Sequence, residues 1–268
     1  MCPYCPQDIV KSVYLSRGGS PSLDLNDYYG YLQKIPTGVK VIFGGFGEPW
    51  CHPKCTEMVL AAHSAGHKID VYTSLVGMKI EDVYILKAIP FESSFTVHLP
   101  DDNGQTKIRL DQNYLEVLRA IGAAGIRHLH FDLRQDGPAP VSLPPAVAQA
   151  IGSLPVGISR CHTWGGLVGD VTPKILKSWL PLRGCPRFYR NVLLPNGDVA
   201  LCCWDMGMQH IIGNLKDSDY ESLFQSNEFK RIKSGFCRRD PDILCSRCDS
   251  PMRQILGLSI PPAYRPVV

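Results

Sequence analysis

Short apolar segments rich in β-branched residues alternate with segments of helical periodicity between Val39 and Gly157. Strands are predicted over residues 39–43, 69–73, 94–98 and 128–133, and helices over 56–63, 81–89, 114–124 and 146–154. This alternation is typical of βαβ units, which form a parallel sheet. Such sheets carry their functional groups at the carboxyl ends of the strands. The sequence therefore predicts an α/β fold with its site at that edge.

The pattern changes after about Gly165. The Asn196-Gly197 dipeptide suits a tight reversal within a hairpin over 192–201, and a helical segment over 220–233 precedes a loop with two cysteines. A chain of 268 residues is long enough for one full domain and a smaller second one. We predict an α/β domain over 1–165, a linker over 166–184 and a small module over 185–268.

Charge and hydropathy argue against several classes of partner. A net charge of +3 without long basic runs predicts neither a nucleic-acid partner nor a membrane partner. No apolar run approaches the roughly 20 residues of a membrane-spanning helix, and no charged segment followed by an apolar one opens the chain. A cytoplasmic location is therefore predicted. Because that compartment keeps thiols reduced, the 11 cysteines indicate metal or redox chemistry rather than disulfides.

Two separate sets of cysteines have the spacing of metal ligands. Cys2 and Cys5 form a Cys-x2-Cys pair, which by itself is compatible with an iron-sulfur site, a zinc site or a disulfide. The second set comprises Cys185, Cys202, Cys245 and Cys248. Four thiolates from two separated pairs fill either a tetrahedral zinc site or the corners of an iron-sulfur cluster.

The remaining cysteines are assigned less specific roles. Cys203 is an alternative to Cys202, because successive strand residues point to opposite faces and only one of the two faces a metal. Four others complete no recognisable spacing and are interpreted as ordinary buried or loop thiols. They are Cys51, Cys55, Cys161 and Cys237.

A glycine-rich segment, residues 44–49, directly follows the first predicted strand. It lacks the Lys-Ser/Thr that a phosphate-binding loop requires. Taken alone it is either a tight turn or a place where a ligand approaches bare backbone. Pro49 favours an extended conformation at Glu48.

Together these motifs resemble those of the radical S-adenosylmethionine enzymes. Cys2-Pro3-Tyr4-Cys5 resembles the end of that family's C-x3-C-x2-C loop, and residues 45–49 resemble its Gly-Gly-Glu motif. The tail is similar to the SPASM/twitch extension, in which C-x(9-15)-G-x4-C and a later CxxC bind an auxiliary 4Fe-4S cluster. Because no cysteine follows Cys248, the resemblance is to the one-cluster twitch version.

The resemblance implies a partial (β/α)6 TIM-like barrel that lacks its first strand, followed by a small twitch-type α+β domain. The family's first cluster cysteine is expected three positions before Met1, at the end of a strand upstream. A predicted helix over 24–33 with no strand before it agrees with an N-terminal truncation. The chain supplies two of the three thiolates, so the alternative to an enzyme is an inactive iron-sulfur or zinc-binding α/β module.

The resemblance also implies roles for individual residues. Cys2 and Cys5 are expected to bind the catalytic 4Fe-4S cluster, and the backbone near Tyr4 to lie against the adenine of S-adenosylmethionine. The methionine end is expected to be lined by Gly45, Phe46, Gly47 and Glu48. Three residues near strand ends are expected to reach the ribose or the carboxylate, or else to make only local hydrogen bonds in solvated loops: Thr73, His98 and Arg134.

The reaction implied is reductive cleavage of S-adenosylmethionine to a 5'-deoxyadenosyl radical, which takes a hydrogen atom from a small-molecule or peptide substrate. The auxiliary 4Fe-4S cluster, with four thiolates and no open iron, favours a net oxidation of that substrate. A reducing partner such as flavodoxin or ferredoxin is expected.

Overall fold

The computed structural model of the protein describes residues 2–168, 185–238 and 240–248. The chain forms two compact units, which are Met1–Cys5 with Thr37–Cys161, and Pro6–Pro36 with the chain from His162 onward. Most of the predicted linker, and the tail from residue 249 onward, lie outside the described residues. The predicted domain boundaries therefore stay predictions.

The first two helices along the chain belong to the second unit. They are α1 (Gln7–Ser16) and α2 (Leu25–Lys34). The side chain of Asp24 begins α2 by accepting hydrogen bonds from the backbone N–H groups of Asn26 and Asp27. The predicted helix over 24–33 is therefore present, whereas α1 was not predicted.

The first unit is built on a sheet of five parallel strands, and neighbours in the sheet are consecutive in sequence. The strands are β1 (Val41–Phe43), β2 (Ile69–Thr73), β3 (Phe95–His98), β4 (Leu129–Gln135) and β5 (Val156–Arg160). The connecting helices are α3 (Cys55–Ser64), α4 (Ile80–Leu86), α5 (Gln112–Ala123) and α6 (Pro145–Ile151). Because such crossovers are right-handed, a sequential order puts all the helices on one face. This is the arrangement of a partial TIM-like barrel, and it confirms the predicted fold class.

The two faces of this sheet differ in polarity. His98 pairs with Asp132 and Arg134 with Ser159, so these four residues share one face. We call it the polar face; Tyr72, which pairs with Thr96, also belongs to it. The opposite face contributes buried apolar side chains to the core: Phe43, Val71, Phe95, Val97 and Phe131. Burial of these apolar side chains stabilises the face that the helices cover, so the polar face is the one available for a functional site.

The second unit contains a small antiparallel sheet, β6 (Val192–Leu193), β7 (Asp198–Ala200) and β8 (Ile211–Asn214). The predicted reversal at Asn196-Gly197 is present, and Gly197 has φ +90°. A Cβ on Gly197 would lie 2.6 Å from Oδ1 of Asn214. Glycine is therefore required here both by the turn and by the close approach.

Three further helices follow: α7 (Tyr220–Leu223), α8 (Asn227–Arg238) and α9 (Leu244–Arg247). The prediction of a single helix over 220–233 is wrong. Ser226 interrupts it, because its backbone N–H bonds the carbonyl of Leu223 while its hydroxyl accepts from the N–H of Phe229. A serine that caps the next helix competes with continuation of the first.

Strands β5 and β8 were not predicted. In β5 Gly157 is exposed and Ile158 is 60% exposed, so this edge strand lacks the apolar alternation from which strands are recognised. In the part of the chain that the structure describes, no helix has the length and apolar character needed to span a membrane.

Candidate functional site

The N-terminal cysteine loop lies against the loop that follows β3. The backbone N–H of Cys5 donates to the carbonyl of Cys2 at 3.0 Å, which closes a turn. The backbone N–H of Lys107 donates to Sγ of Cys2 at 3.2 Å. Next to it, the Tyr4 hydroxyl lies 3.2 Å from Oγ1 of Thr106, and burial raises the pKa of Tyr4 well above its usual value. The loop after β3 therefore fixes the cysteine loop and directs an N–H group at one of its sulfurs.

The glycine-rich segment bends sharply after β1. Gly45 has φ +103°, a conformation that side chains with a Cβ rarely adopt. Phe46 is buried, and Gly47 is exposed with no heavy atom within 4 Å of the position a Cβ would take. One side of this segment is therefore packed, and the other offers bare backbone.

Glu48 joins the glycine-rich segment to the end of β2. Its Oε1 accepts from the Thr73 hydroxyl at 2.5 Å and from the Trp50 N–H at 3.3 Å. Its Oε2 accepts from the N–H and the hydroxyl of Ser74, at 2.6 and 2.7 Å. A carboxylate with this many donors is strongly held. The structure thus brings Glu48 and Thr73 together, and the hydroxyl of Thr73 is directed at Glu48.

His98, Asp132 and Arg134 form one ionisable group on the polar face. Oδ2 of Asp132 lies 3.3 Å from Nδ1 of His98 and 3.4 Å from Nε of Arg134, while its Oδ1 accepts from the Ser159 hydroxyl at 2.6 Å. Burial lowers the pKa of His98. The pKa of Asp132 is also lowered: burial raises it, but the His98, Ser159 and Arg134 contacts together outweigh that effect.

The carboxylate of this group is closed off from solvent. Oδ2 of Asp132 is buried, and no donor among the described residues reaches it with hydrogen-bond geometry. Beside it the ring of Tyr72 stacks on that of His98, with centroids 6.4 Å apart and an angle of 21° between planes. The polar face therefore presents a guanidinium and an aromatic ring close together, beside a carboxylate that is closed off from solvent.

In the second unit, the four predicted auxiliary ligands line one small cavity. They are Cys185, Cys202, Cys245 and Cys248. The other lining residues are Arg187 and the apolar Phe188, Phe236 and Leu244. Burial raises the pKa of the Cys202 thiol well above its usual value, so a thiolate is costly here unless a cation stabilises it. The donor set thus suits a cluster, which binds thiolates.

The same cavity distinguishes the two adjacent cysteines. Cys203 does not line it, and its sulfur instead accepts from Nη1 of Arg187 at 3.3 Å. This geometry favours Cys202 as the ligand. Within the residues that the structure describes, no group of three or more Cys, His, Asp or Glu side chains has the arrangement needed to hold a single metal ion.

His210 anchors the segment that carries Cys245. The ring is 2% exposed, and its Nε2 accepts from the backbone N–H of Leu244 at 3.0 Å. Nδ1 lies 2.7 Å from a carboxylate oxygen of Glu228, which Arg231 also contacts at 2.8 Å. Because Nε2 accepts, the proton is on Nδ1 and donates to Glu228. Sequence reasoning missed His210, since its sequence context carries no motif.

Comparisons with known proteins agree with this geometry. Residues 185–249 match the family described as SPASM, iron-sulfur cluster-binding domain. This part of the chain is therefore similar to SPASM iron-sulfur cluster-binding domains. This match, together with the solved structures below, confirms the resemblance to radical S-adenosylmethionine enzymes with a SPASM or twitch domain.

Several solved structures share the fold at low identity. BtrN in complex with AdoMet and 2-DOIA gives a TM-score of 0.53 at 15% identity over 93% of this chain and 87% of that chain. Native anSMEcpe with bound AdoMet and Kp18Cys peptide gives 0.53 at 12% identity over 86% and 78%. Streptococcus suis SuiB gives 0.50 at 11% identity over 78% and 61%. A search of curated proteins finds no match.

The roles of individual site residues stay predictions. Sequence reasoning singled out His98, Arg134 and Glu48, but missed the residues that hold them, Ser74 and Asp132. Both stand in or directly after predicted strands. Alternation along the fourth predicted strand gives the signal for Asp132, because it lies two positions before Arg134 and on the same face.

Proposed function

We propose that the protein is a radical S-adenosylmethionine enzyme that abstracts a hydrogen atom from its substrate and carries out a net oxidation or a modification of a peptide or small molecule. The observation that carries this proposal is the arrangement at the carboxyl edge of the parallel sheet in the first unit. Three features lie there: the Cys2 and Cys5 loop, the open backbone at Gly47, and the polar face with His98 and Arg134.

The donor sets fit the groups that this chemistry needs. Cys2 and Cys5 would hold the catalytic 4Fe-4S cluster together with a third thiolate, and the SPASM cysteines would hold the auxiliary one. When bound and reduced, the catalytic cluster supplies the electron that breaks the C5'–S bond of S-adenosylmethionine.

The chain's own residues contribute binding and orientation. Glu48 fixes the glycine-rich segment through Thr73 and Ser74, so the backbone from Gly45 to Gly47 can line the methionine end of the cofactor. Asp132 positions His98 and Arg134 on the polar face, with its Oδ2 3.3 and 3.4 Å from their nitrogens. Arg134 offers donors to a carboxylate.

The hydrogen bond from the backbone N–H of Lys107 to Cys2 supports a cluster at that position. Hydrogen bonds to cluster sulfurs stabilise negative charge and tune the reduction potential. The Lys107 N–H donates to Sγ of Cys2, and it is a backbone group that substitution of the side chain leaves in place.

The substrate is proposed to be a peptide or a small molecule, since anSMEcpe binds a peptide and BtrN binds 2-DOIA. An auxiliary cluster with four thiolates has no open iron, which favours electron transfer over substrate binding. Flavodoxin or ferredoxin is proposed as the reducing partner.

The test uses the chain extended at its N-terminus so that a cysteine precedes Cys2 by four positions, here called the extended protein. It is reconstituted anaerobically with iron and sulfide, reduced with dithionite and given S-adenosylmethionine. We expect 5'-deoxyadenosine and methionine, and loss of both products in Cys5→Ala. A reconstituted protein that holds iron but does not cleave the cofactor would instead be an inactive iron-sulfur module, and stoichiometric zinc would identify a zinc-binding one.

A further inference from the structure

Arg187 borders the cavity that the predicted auxiliary ligands line. Apart from the four cysteines, the described residues of the cavity wall are this arginine and three apolar side chains, Phe188, Phe236 and Leu244. All of them belong to the second unit. A guanidinium therefore lies against a space that is otherwise lined by sulfur and hydrocarbon.

The position of Arg187 follows from a tight turn after Cys185. A short 3-10 helix, Pro186–Tyr189, begins directly after this cysteine. The backbone N–H of Phe188 donates to the carbonyl of Cys185 at 3.0 Å, and that of Arg190 donates to the carbonyl of Arg187 at 3.0 Å. Because the Phe188 side chain is buried in the core of this unit, the turn fixes where the neighbouring Arg187 side chain emerges.

Two contacts hold the guanidinium of Arg187 at this wall. Its Nη1 donates to Sγ of Cys203 at 3.3 Å. Its central carbon lies 4.7 Å from the centroid of the Trp204 ring, which is a cation–π geometry. Trp204 is buried and packs against the ring of His162, with 4.4 Å between centroids. The guanidinium is thus oriented by an aromatic face and a sulfur, and Cys203 serves as its acceptor.

Two acidic residues also act on the electrostatics around the cysteines, although neither lines the cavity. Asp205 accepts from the backbone N–H groups of Gln209 and His210, both at 2.8 Å, and burial raises its pKa to about 7. Glu228 is held by His210 and Arg231. A substitution of Arg187 alone leaves these groups in place, so the difference it makes reports the guanidinium and not the sum of all charges.

A cation at this wall favours the reduced form of a cluster bound there. An iron-sulfur core with four thiolates carries a net negative charge, which grows by one unit when the cluster takes up an electron. Phe188 and Phe236 are each 4% exposed, so charges interact beside them through a medium less polar than water. A guanidinium next to the thiolates stabilises the added negative charge, and the reduction potential rises with it.

We propose that Arg187 raises the reduction potential of the auxiliary cluster and so makes it the acceptor for the electron that the substrate gives up. This role rests on the proposed function for its purpose, whereas the contacts of Arg187 do not depend on it. In the net oxidation, a substrate hydrogen atom passes to the 5'-deoxyadenosyl radical and gives 5'-deoxyadenosine. The substrate radical then loses one electron to the oxidised auxiliary cluster and one proton to water, which leaves the substrate oxidised by two electrons.

The experiment compares the extended protein with three variants in a reductive titration followed by electron paramagnetic resonance. Arg187→Gln removes the positive charge and retains hydrogen-bond donors. Arg187→Lys retains the charge without the planar guanidinium. Lys230→Gln is the matched control, because it removes one positive charge from an exposed side chain of the same unit.

The titration is run without S-adenosylmethionine. The auxiliary signal is identified as the one that Cys245→Ala with Cys248→Ala removes. Iron content and urea denaturation of the metal-free chain are measured for each variant, so that a change in potential is separated from a change in folding.

We expect reduction of the auxiliary cluster to become about tenfold less favourable in Arg187→Gln, which lowers its midpoint potential by about 59 mV for one electron. Arg187→Lys should show a smaller shift in the same direction. Lys230→Gln should stay within about twofold of the parent, because water and salt screen an exposed charge.

An auxiliary midpoint potential that Arg187→Gln leaves unchanged would overturn the proposal, as would an equal shift in Lys230→Gln or in Arg187→Lys. If Arg187→Gln loses the auxiliary iron, retention of that iron in Arg187→Lys supports a role of the charge, and its loss in both variants overturns it. A parent protein that gives the auxiliary signal but does not cleave S-adenosylmethionine with dithionite would overturn the proposed function instead, while a shifted midpoint potential in Arg187→Gln would still stand.

Discussion

Gly47 offers a test that separates ligand binding from folding. The change is Gly47→Val. A Cβ at this position meets no heavy atom within 4 Å, and Gly47 is not among the residues with positive φ. The fold should therefore accept the side chain, with a stability change of about 0.5 kcal/mol or less, as at other open surface positions.

The effect on the cofactor should be much larger. If the backbone of Gly47 lines the methionine end of S-adenosylmethionine, valine occupies the space that the ligand needs. We expect binding to weaken tenfold or more, which corresponds to about 1.4 kcal/mol. The assay is equilibrium dialysis of S-adenosylmethionine against the reconstituted extended protein, with iron content and urea denaturation measured in parallel.

Gly38→Val is the matched control. Gly38 is also exposed, has no positive φ and has no heavy atom near its Cβ position, but it lies before β1, away from the carboxyl edge. The control should bind as the parent does. A folded Gly47→Val protein with unchanged iron and unchanged binding would refute the reasoning and leave this glycine as a turn residue.

Three further outcomes are expected. Gly77→Ala should lower the free energy of unfolding by about 2 kcal/mol or more, because Gly77 has φ +86° and its Cβ would lie 2.3 Å from the Trp50 carbonyl oxygen; an unchanged urea midpoint would contradict this. The extended protein should bind about eight irons, and Cys245→Ala with Cys248→Ala about half of them; loss of all iron would contradict two separate clusters. Because burial lowers the pKa of His98, the unfolded state takes up the proton first, so stability of the metal-free chain should fall as the pH drops below about 6.5; urea denaturation should show a smaller fall in His98→Gln, and an equal fall would contradict it.

Strands β1 to β4 could be predicted because each is apolar and bounded by turn residues. The sequence identifies the strand over 69–73 with the bounds that the structure shows. It misses β5, where Gly157 and an exposed Ile158 at the sheet edge remove the apolar pattern. The apolar pattern of a strand is visible in adjacent residues, whereas burial at a sheet edge depends on neighbours far away in sequence.

The same distinction applies to the site. The cysteines and the glycine-rich segment could be found because their spacing is local. The contacts that orient them could not, since His210 reaches Leu244 and Lys107 reaches Cys2 only in the folded chain. The choice of Cys202 over Cys203 likewise required the cavity, because β7 ends at Ala200 and the alternation expected of strand residues does not apply to either cysteine.

The most direct test of the central claim is the electron paramagnetic resonance spectrum of the dithionite-reduced extended protein, recorded with and without S-adenosylmethionine. The account predicts signals from two 4Fe-4S clusters, of which only one changes when the cofactor is added. That responsive signal should be absent in Cys5→Ala and should remain in Cys245→Ala with Cys248→Ala. A spectrum that the cofactor leaves unchanged would contradict a radical S-adenosylmethionine site in this protein, and a single cluster signal would contradict the presence of two clusters.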